Sequence, residues 1–288
     1  MGFKITIVGL GIMGGSLAKA LRGWRNAEIT GIEVDESVLS AALADGVIDR
    51  GYIISDENAA EALDADLTVI AIFPRAALEF LHHYAQYAKK GSVWNDLIGI
   101  KETIVREAES LMPESVEFVG AHPMAGKEVY GYVSSDVDLF RGCNYIVTPT
   151  PRTSAHAQDL IHEMVRYVGA KHIIETTPER HDTMIAYTSQ MAHVLAAAIV
   201  NSRLLFESKG FEGGSFHDLT RVGTLNPAMW SELFVMNKEP LCGILKELEN
   251  HIADMRKLIE SDNQDTLRDA LTETTARKAE YIGEPFKG

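Results

Sequence analysis

Gly9-Leu10-Gly11-Ile12-Met13-Gly14-Gly15-Ser16 is the stretch on which the reading of the fold turns. An apolar, strand-like run over 4–8 precedes it and a helical pattern over 17–24 follows it. G-x-G-x-x-G between a strand and a helix is the fingerprint of dinucleotide binding. Its first glycine makes the tight turn, its second admits a pyrophosphate close to the backbone, and its third lets the helix pack on the strand. The helix start adds N–H groups and the positive end of a dipole. Gly9, Gly11, Ile12, Met13 and Gly14 are therefore candidate cofactor-binding residues. The next strand, over 29–34, carries Glu33 about 20 residues past the last fingerprint glycine, where an acid would bond a ribose 2′-hydroxyl. A carboxylate there repels a 2′-phosphate, so NAD is expected over NADP. Asp35 is a nearby competitor for the same role.

Working outward, apolar strand patterns recur over 67–72, 92–95, 116–119, 145–147 and 172–175. Helical patterns over 75–88, toward Met112-Pro113 and over 155–168 separate them. Alternation of this kind predicts an α/β domain with a doubly wound, mainly parallel sheet of Rossmann type. Ligands of such sheets bind beyond the carboxyl ends of the strands. The fingerprint, Glu33, Phe73-Pro74, Asp96 and His122 all fall at such ends and are expected to line one crevice, with Asp96 counted among the cofactor contacts. After Thr177-Pro178 no strand pattern remains. A helical pattern runs over 179–208, and its segment 194–200 is apolar on nearly every side. Such a segment must be buried, in this domain or against a second subunit. Helical patterns resume over 227–237, 241–261 and 266–281. The chain thus divides into an NAD-binding unit, 1–176, and an all-helical substrate and dimerisation unit, 177–288. The tail 283–288 is expected to be loose.

A net charge of −14 argues against a nucleic-acid or anionic-membrane partner, because no basic field is available to release counterions. It leaves room for an anionic substrate at a locally basic site. Cys143 and Cys242 stand far apart in no metal-ligand spacing, so no metal is expected, and they read as free thiols of a reducing, cytoplasmic setting. The N-terminus leads straight into a strand, so no signal peptide is expected. Met1-Gly2-Phe3-Lys4-Ile5-Thr6 formally fits an acylation pattern, but reads better as the start of a buried strand. No apolar run is read as long enough to span a membrane.

A second polar stretch is Val119-Gly120-Ala121-His122-Pro123-Met124-Ala125-Gly126-Lys127-Glu128. Pro123 fixes its own φ and pushes His122 away from helix, which places the imidazole at a strand end. The helical half adds His181-Asp182, Ser189 and His193 one turn apart, and a segment from Gly213 through Asp218-Leu219-Thr220-Arg221 to Asn226, Trp230 and Asn237. Each has an ordinary structural reading: a charge pair at a helix start, a satisfied core histidine, a surface arginine. Their clustering in a domain expected to close over the crevice favours substrate contact.

With these segments in view the sequence resembles the prephenate dehydrogenase family, which includes arogenate dehydrogenases. The likeness runs through the fingerprint, Asp96 with Lys101, the Gly120–Glu128 stretch, His181-Asp182, Ser189 with His193, and Asp218 to Arg221 with Pro227, Trp230 and Asn237. It implies a Rossmann domain followed by a helical dimerisation domain, and a homodimer. It also implies NAD-dependent oxidative decarboxylation of prephenate to 4-hydroxyphenylpyruvate in tyrosine biosynthesis, or of arogenate to tyrosine. Hydride leaves C4 for the nicotinamide, the C4 hydroxyl loses its proton, and the ring carboxylate leaves as CO2. By motif position His122 is the acceptor of that proton, and Arg221 binds a substrate carboxylate. His193, Lys127 and Trp230 are further substrate-side residues. Two departures stand out. Gly99 occupies the place where many relatives carry a serine, and Ser189-Gln190-Met191-Ala192-His193 lacks a His and a Pro found in many of them. At this length no fused mutase or regulatory domain is expected, and inhibition by tyrosine is then expected to be competitive. A β-hydroxyacid dehydrogenase would place a lysine on the long helix, yet none lies between Lys171 and Lys209. An NAD(H)-sensing regulator is the reading from another class, and it would need no reactive His122.

Overall fold

The computed structural model describes residues 2–127 and 129–284. Glu128 and the terminal Pro285-Phe286-Lys287-Gly288, most of the tail expected to be loose, lie outside the described residues. The N-terminal unit runs β1 (Lys4–Val8), α1 (Ile12–Ala20), β2 (Glu28–Ile32), α2 (Glu36–Ala44), β3 (Arg50–Tyr52), α3 (Ala59–Ala62) and β4 (Leu67–Ile70). It continues α4 (Pro74–Tyr84), β5 (Val93–Asp96), α5 (Glu102–Leu111), β6 (Glu117–Pro123), β7 (Asn144–Thr148), α6 (Ala155–Tyr167) and β8 (His172–Glu175). The strands form one sheet in the order β3-β2-β1-β4-β5-β6-β7-β8. The first six are parallel, β7 runs antiparallel to β6, and β8 is again parallel to β7.

The sheet is buried on both faces. Ile5, Ile7, Val69 and Tyr145 belong to one apolar cluster with Leu17 of α1 and Ile161 of α6. Val8, Ile70 and Trp94 belong to the other with Ala77 of α4 and Ile104 of α5. The alternation along β1 and β4 assigns successive side chains to opposite faces. Several helix starts carry the chemistry that favours them. Asp35 accepts from the Ser37 amide, Ser154 from that of Ala157 and Thr177 from that of Arg180. Pro74 and Pro178 stand in the first turns of their helices, where the missing N–H costs nothing.

β6 extends past the expected 116–119. Its first half pairs with β5, and from Gly120 it pairs with β7, with His122 opposite Ile146. The ladder therefore carries His122 itself. Neither α2 nor β3 was expected; β3 has three residues, opens with exposed Arg50 and sits at the sheet edge.

The later elements are helical: α7 (Pro178–Ile185), a π-helical turn (Ala186–Gln190), α8 (Met191–Val200), α9 (Gly214–Thr220), α10 (Pro227–Met236), α11 (Lys238–Glu260) and α12 (Gln264–Gly283). The helix expected over 179–208 ends at Val200, and turns follow to Phe211. Within this chain only Ala196 of α8 is buried. The continuous helix Pro178–Val200 is long and apolar enough to cross a membrane by length and composition, contrary to expectation. Its first turns, however, carry buried His181 and Asp182 in polar contact with the N-terminal unit.

Candidate active site

A cavity of about 500 Å³ opens beyond the carboxyl ends of β1, β4, β5 and β6. Gly11, Ile12 and Met13 of the fingerprint line it, with Phe73 and Pro74 after β4, Leu97 to Gly99 after β5, and His122. The helical half closes it with Ser189, Gln190 and His193 from the long helix and Asn226, Met229, Trp230 and Leu233 from α10. A hydrogen bond from the Arg75 amide to the Glu232 carboxylate, 3.0 Å, ties the start of α4 to α10 across this cleft.

The fingerprint glycines divide their labour as their surroundings dictate. Gly9 has φ +88°, and a Cβ there would lie 2.4 Å from Ile72 Cγ2. A Cβ on Gly14 would meet the Gly9 carbonyl oxygen at 1.8 Å, so helix and turn pack through its absence. Gly11, the residue before α1, faces open space, as a close approach of pyrophosphate requires. The first turn of α1 carries no acid to oppose an anion. Glu33 accepts from the Leu10 amide at 2.8 Å and from the Val34 amide at 2.7 Å, which holds its carboxylate against the fingerprint turn. Asp35 is engaged instead as the cap of α2. Of the two acids, Glu33 is the one whose carboxylate lies against the fingerprint turn. These residues fit a dinucleotide.

His122 is part-buried and faces the cavity. Its Nδ1 lies 3.0 Å from His181 Nε2. Burial, His181 and the Lys101 charge hold its pKa well below the usual imidazole range, so it stands neutral. A neutral imidazole with one nitrogen toward the cavity can accept a proton there. His193 stacks on Trp230 at 3.8 Å between ring centroids, and its Nδ1 meets the Ser189 carbonyl at 2.9 Å. A carbonyl only accepts, so the His193 hydrogen sits on Nδ1. The π-helical turn brings Ser189 and Gln190 to the wall; one extra residue rotates the helix face by about 100°.

The model of the prephenate dehydrogenase nucleotide-binding domain matches residues 17–174, and that of the prephenate dehydrogenase dimerization domain matches residues 177–273. The chain belongs to the prephenate dehydrogenase family. It is 29% identical over 270 residues to the prephenate dehydrogenase of Bacillus subtilis, covering 91% of this chain and 72% of that one. It is 28% identical over 290 residues to the cyclohexadienyl dehydrogenase of Zymomonas mobilis, covering 98% and 92%. The crystal structure of the A. aeolicus prephenate dehydrogenase, in complex with hydroxyphenyl propionate and NAD+, superimposes with a TM-score of 0.87 at 27% identity, covering 98% of this chain and 99% of that one. This member of the family is an NAD-dependent dehydrogenase.

Of the residues singled out from the sequence, Asp96 and Arg221 do not line the cavity, and Lys127 lines it with its ammonium engaged. Asp96 does not reach the cavity of this prephenate dehydrogenase family member. It is wholly buried, pairs with the equally buried Lys101, and accepts from the amides of Ile98 at 3.0 Å and Ala121 at 3.2 Å. Burial raises its pKa and lowers that of Lys101, while each partner's charge opposes the shift. Its work is to hold the β5 and β6 ends together. Arg221 is exposed in the short turn 221–223 and stands beside the wall, to which Val222 and Thr224 contribute but it does not. Lys127 does line the cavity, but its ammonium is paired with Asp136 at 2.8 Å. Gly99 lies against His122: a Cβ there would sit 3.6 Å from His122 Cε1 and 3.5 Å from Leu233, an ordinary contact. Reasoning from the sequence missed the link between His122 and His181, which lie 59 positions apart with nothing in their spacing to announce it.

Proposed function

We propose that the chain catalyses the oxidative decarboxylation of prephenate to 4-hydroxyphenylpyruvate, as a step of tyrosine formation in the cytoplasm, with arogenate as the alternative substrate. Residues 1–176 are the NAD-binding unit and 177–288 the substrate and dimerisation unit of a homodimer. The observation that carries the reading is one cavity lined by both the fingerprint residues Gly11 to Met13 and the neutral His122. NAD, when bound, supplies the acceptor for the C4 hydride.

His122 takes the C4 hydroxyl proton as the ring carboxylate leaves and the ring becomes aromatic. General-base help of this sort is worth about 10²–10⁴-fold. Trp230 and His193, stacked on each other, offer a flat wall for the ring. Lys127, which lines the cavity, and Arg221, beside its wall, are assigned to the substrate carboxylates. Phe73, Leu97, Ile98 and Leu233 keep water from the reacting face. Gly99 brings no hydroxyl to the C4 oxygen, so a second polar contact there, if made, comes from another group of the wall.

The test is to incubate purified protein with NAD and prephenate, or NAD and arogenate, following NADH absorbance and identifying the product. NADH with 4-hydroxyphenylpyruvate from prephenate is the expected result. NADH with arogenate alone would move the assignment to tyrosine formation and to amine recognition around Gln190 and His193. No NADH with either, despite measurable NAD binding, would overturn the enzyme reading in favour of a regulator.

A further inference from the structure

The imidazole that faces the cavity ends a chain of three side chains. His122 Nδ1 lies 3.0 Å from His181 Nε2, and His181 Nδ1 lies 2.7 Å from Asp182 Oδ1. His181 and Asp182 are both buried, so neither needs to be there for solubility. Asp182 also accepts from the amides of Lys101 at 2.7 Å and Glu102 at 2.9 Å, at the start of α5. Its own carbonyl accepts from Asn237 Nδ2 at 3.0 Å, and the same amide group donates to Gln190 Oε1 at 2.7 Å. The carboxylate itself thus meets three N–H groups or nitrogens, those of Lys101, Glu102 and His181, while Asn237 fixes the backbone beside it.

These contacts dictate where the hydrogens sit. Asp182 meets two N–H donors whose hydrogens cannot be moved, so its oxygens act as acceptors. Burial raises its pKa, and the two amides and Lys101 oppose that rise. His181 must then carry its hydrogen on Nδ1. Burial and the Lys101 charge push its pKa down to about 2, so it is neutral and Nε2 offers a lone pair. His122 must in turn carry its hydrogen on Nδ1 and donate it to that lone pair. This leaves His122 Nε2 without a hydrogen, near the spot a Gly99 Cβ would occupy, 3.7 Å away. The other charged groups around the chain are the Lys101–Asp96 pair and Glu179.

We propose that His181 and Asp182 are positioning residues that orient His122 and fix it in the tautomer able to accept the substrate's hydroxyl proton. The reading of the site as a hydroxyl-deprotonating one is the premise. The proton leaves the C4 oxygen for His122 Nε2. Throughout, the Nδ1 hydrogen stays bonded to His181 Nε2, which Asp182 holds in place from behind. Nothing needs to be oxidised or reduced within the relay. An orienting acid behind a catalytic imidazole serves the same end in hydrolases, where its loss is felt in kcat far more than in binding. A helix-start charge pair with no catalytic consequence is the competing account.

The experiment has two readouts. The first is the tautomer of His122 at pH 7 in the full chain, read from long-range proton–nitrogen NMR correlations with labelled histidine and assigned by comparison with His122→Asn. Hydrogen on Nδ1 in the native protein, and a mixed or inverted tautomer in His181→Leu, is the expected result. Hydrogen on Nε2 in the native protein overturns the proposal. The second readout is steady-state kinetics. His181→Leu should lower kcat by about 10²-fold while KM stays within about threefold. His181→Gln, whose carbonyl can still accept from His122, should recover about tenfold of that loss. Unchanged kcat in a folded His181→Leu protein, or equal losses in the Leu and Gln variants, would overturn the relay. Should His181→Leu not fold, the native spectrum and the Gln variant decide. If the native protein turns over neither substrate the proposed reaction fails, while the spectrum still decides the relay.

Discussion

At the scale of single residues, the two linked histidines make stability as well as chemistry depend on pH. Both have folded pKa values below the ordinary 6.5, His122 well below it and His181 at about 2. The sign follows from proton counting. Above pH 6.5 neither the folded nor the unfolded chain protonates them. As pH falls below that, the unfolded chain gains protons that the folded one refuses. Each histidine then withdraws about 1.4 kcal/mol of stability per pH unit. Asp96 and Asp182, whose pKa values are raised by burial, act in the opposite sense, because the folded chain takes up those protons before the unfolded one does. Thermal melts from pH 7.5 to 5.5 should therefore show a falling Tm, and a flat profile would mean that these imidazoles are not held neutral by the fold. His122 was legible in the sequence because Pro123 and the flanking glycines mark it. Its partner His181 was not, because a hydrogen bond between distant positions leaves no periodic trace. Asp96 misled for a related reason: a strand-end acid looks alike whether it points to the crevice or, as here, to a buried lysine.

At the scale of elements, the strand–turn–helix of the fingerprint makes a prediction that separates folding from binding. Gly14→Ala would drive a methyl group into the Gly9 carbonyl, so the turn and α1 must move apart. A penalty of about 1–3 kcal/mol corresponds to a Tm lower by several degrees. Gly11→Ala meets nothing within 4 Å, so Tm should hold while the Kd for NAD rises by at least about tenfold, because the methyl occupies the approach of the pyrophosphate. Melting curves and NAD titrations on the two variants check this, and a Gly11→Ala protein with native affinity would remove the turn from the binding site. The strong alternation of apolar strand and amphipathic helix made seven of the eight strands readable. β3 escaped because three residues at an exposed edge carry too little pattern. The irregular turns after Val200 escaped for the opposite reason: Leu204, Leu205 and Phe206 continue an apolar pattern that here serves the surface of the chain, with Phe206 90% exposed. The π-helical turn had no signal at all, since its composition is that of ordinary helix.

At the scale of the whole molecule, the two halves are unequal in how they bury themselves. The sheet unit has two full apolar clusters. The helical unit leaves Phe206, Phe211, Val235, Ile252 and Ile259 open and buries nothing of α12. An apolar surface of this extent on helices matched by the family's dimerization domain calls for a second copy of the chain. Ala198, exposed on α8 among apolar neighbours, is a suitable probe. Ala198→Glu should shift sedimentation from dimer toward monomer, because a buried unpaired carboxylate costs several kcal/mol. A dimer of native strength in that variant would place the interface elsewhere. The sequence anticipated that 194–200 must be covered, and left open whether by this chain or by another.

The carboxylate that caps α5 comes from the helical half, while the imidazole reached through His181 hangs from the sheet half. In evolutionary terms the two halves are therefore less interchangeable than their separate folds suggest. A helical unit transplanted onto another Rossmann unit would inherit its surface for pairing, yet meet a foreign helix start where Asp182 expects the amides of Lys101 and Glu102. Descent should keep the acid, the helix start and the strand-borne histidine together as one heritable set, free to vary only in the loops around them.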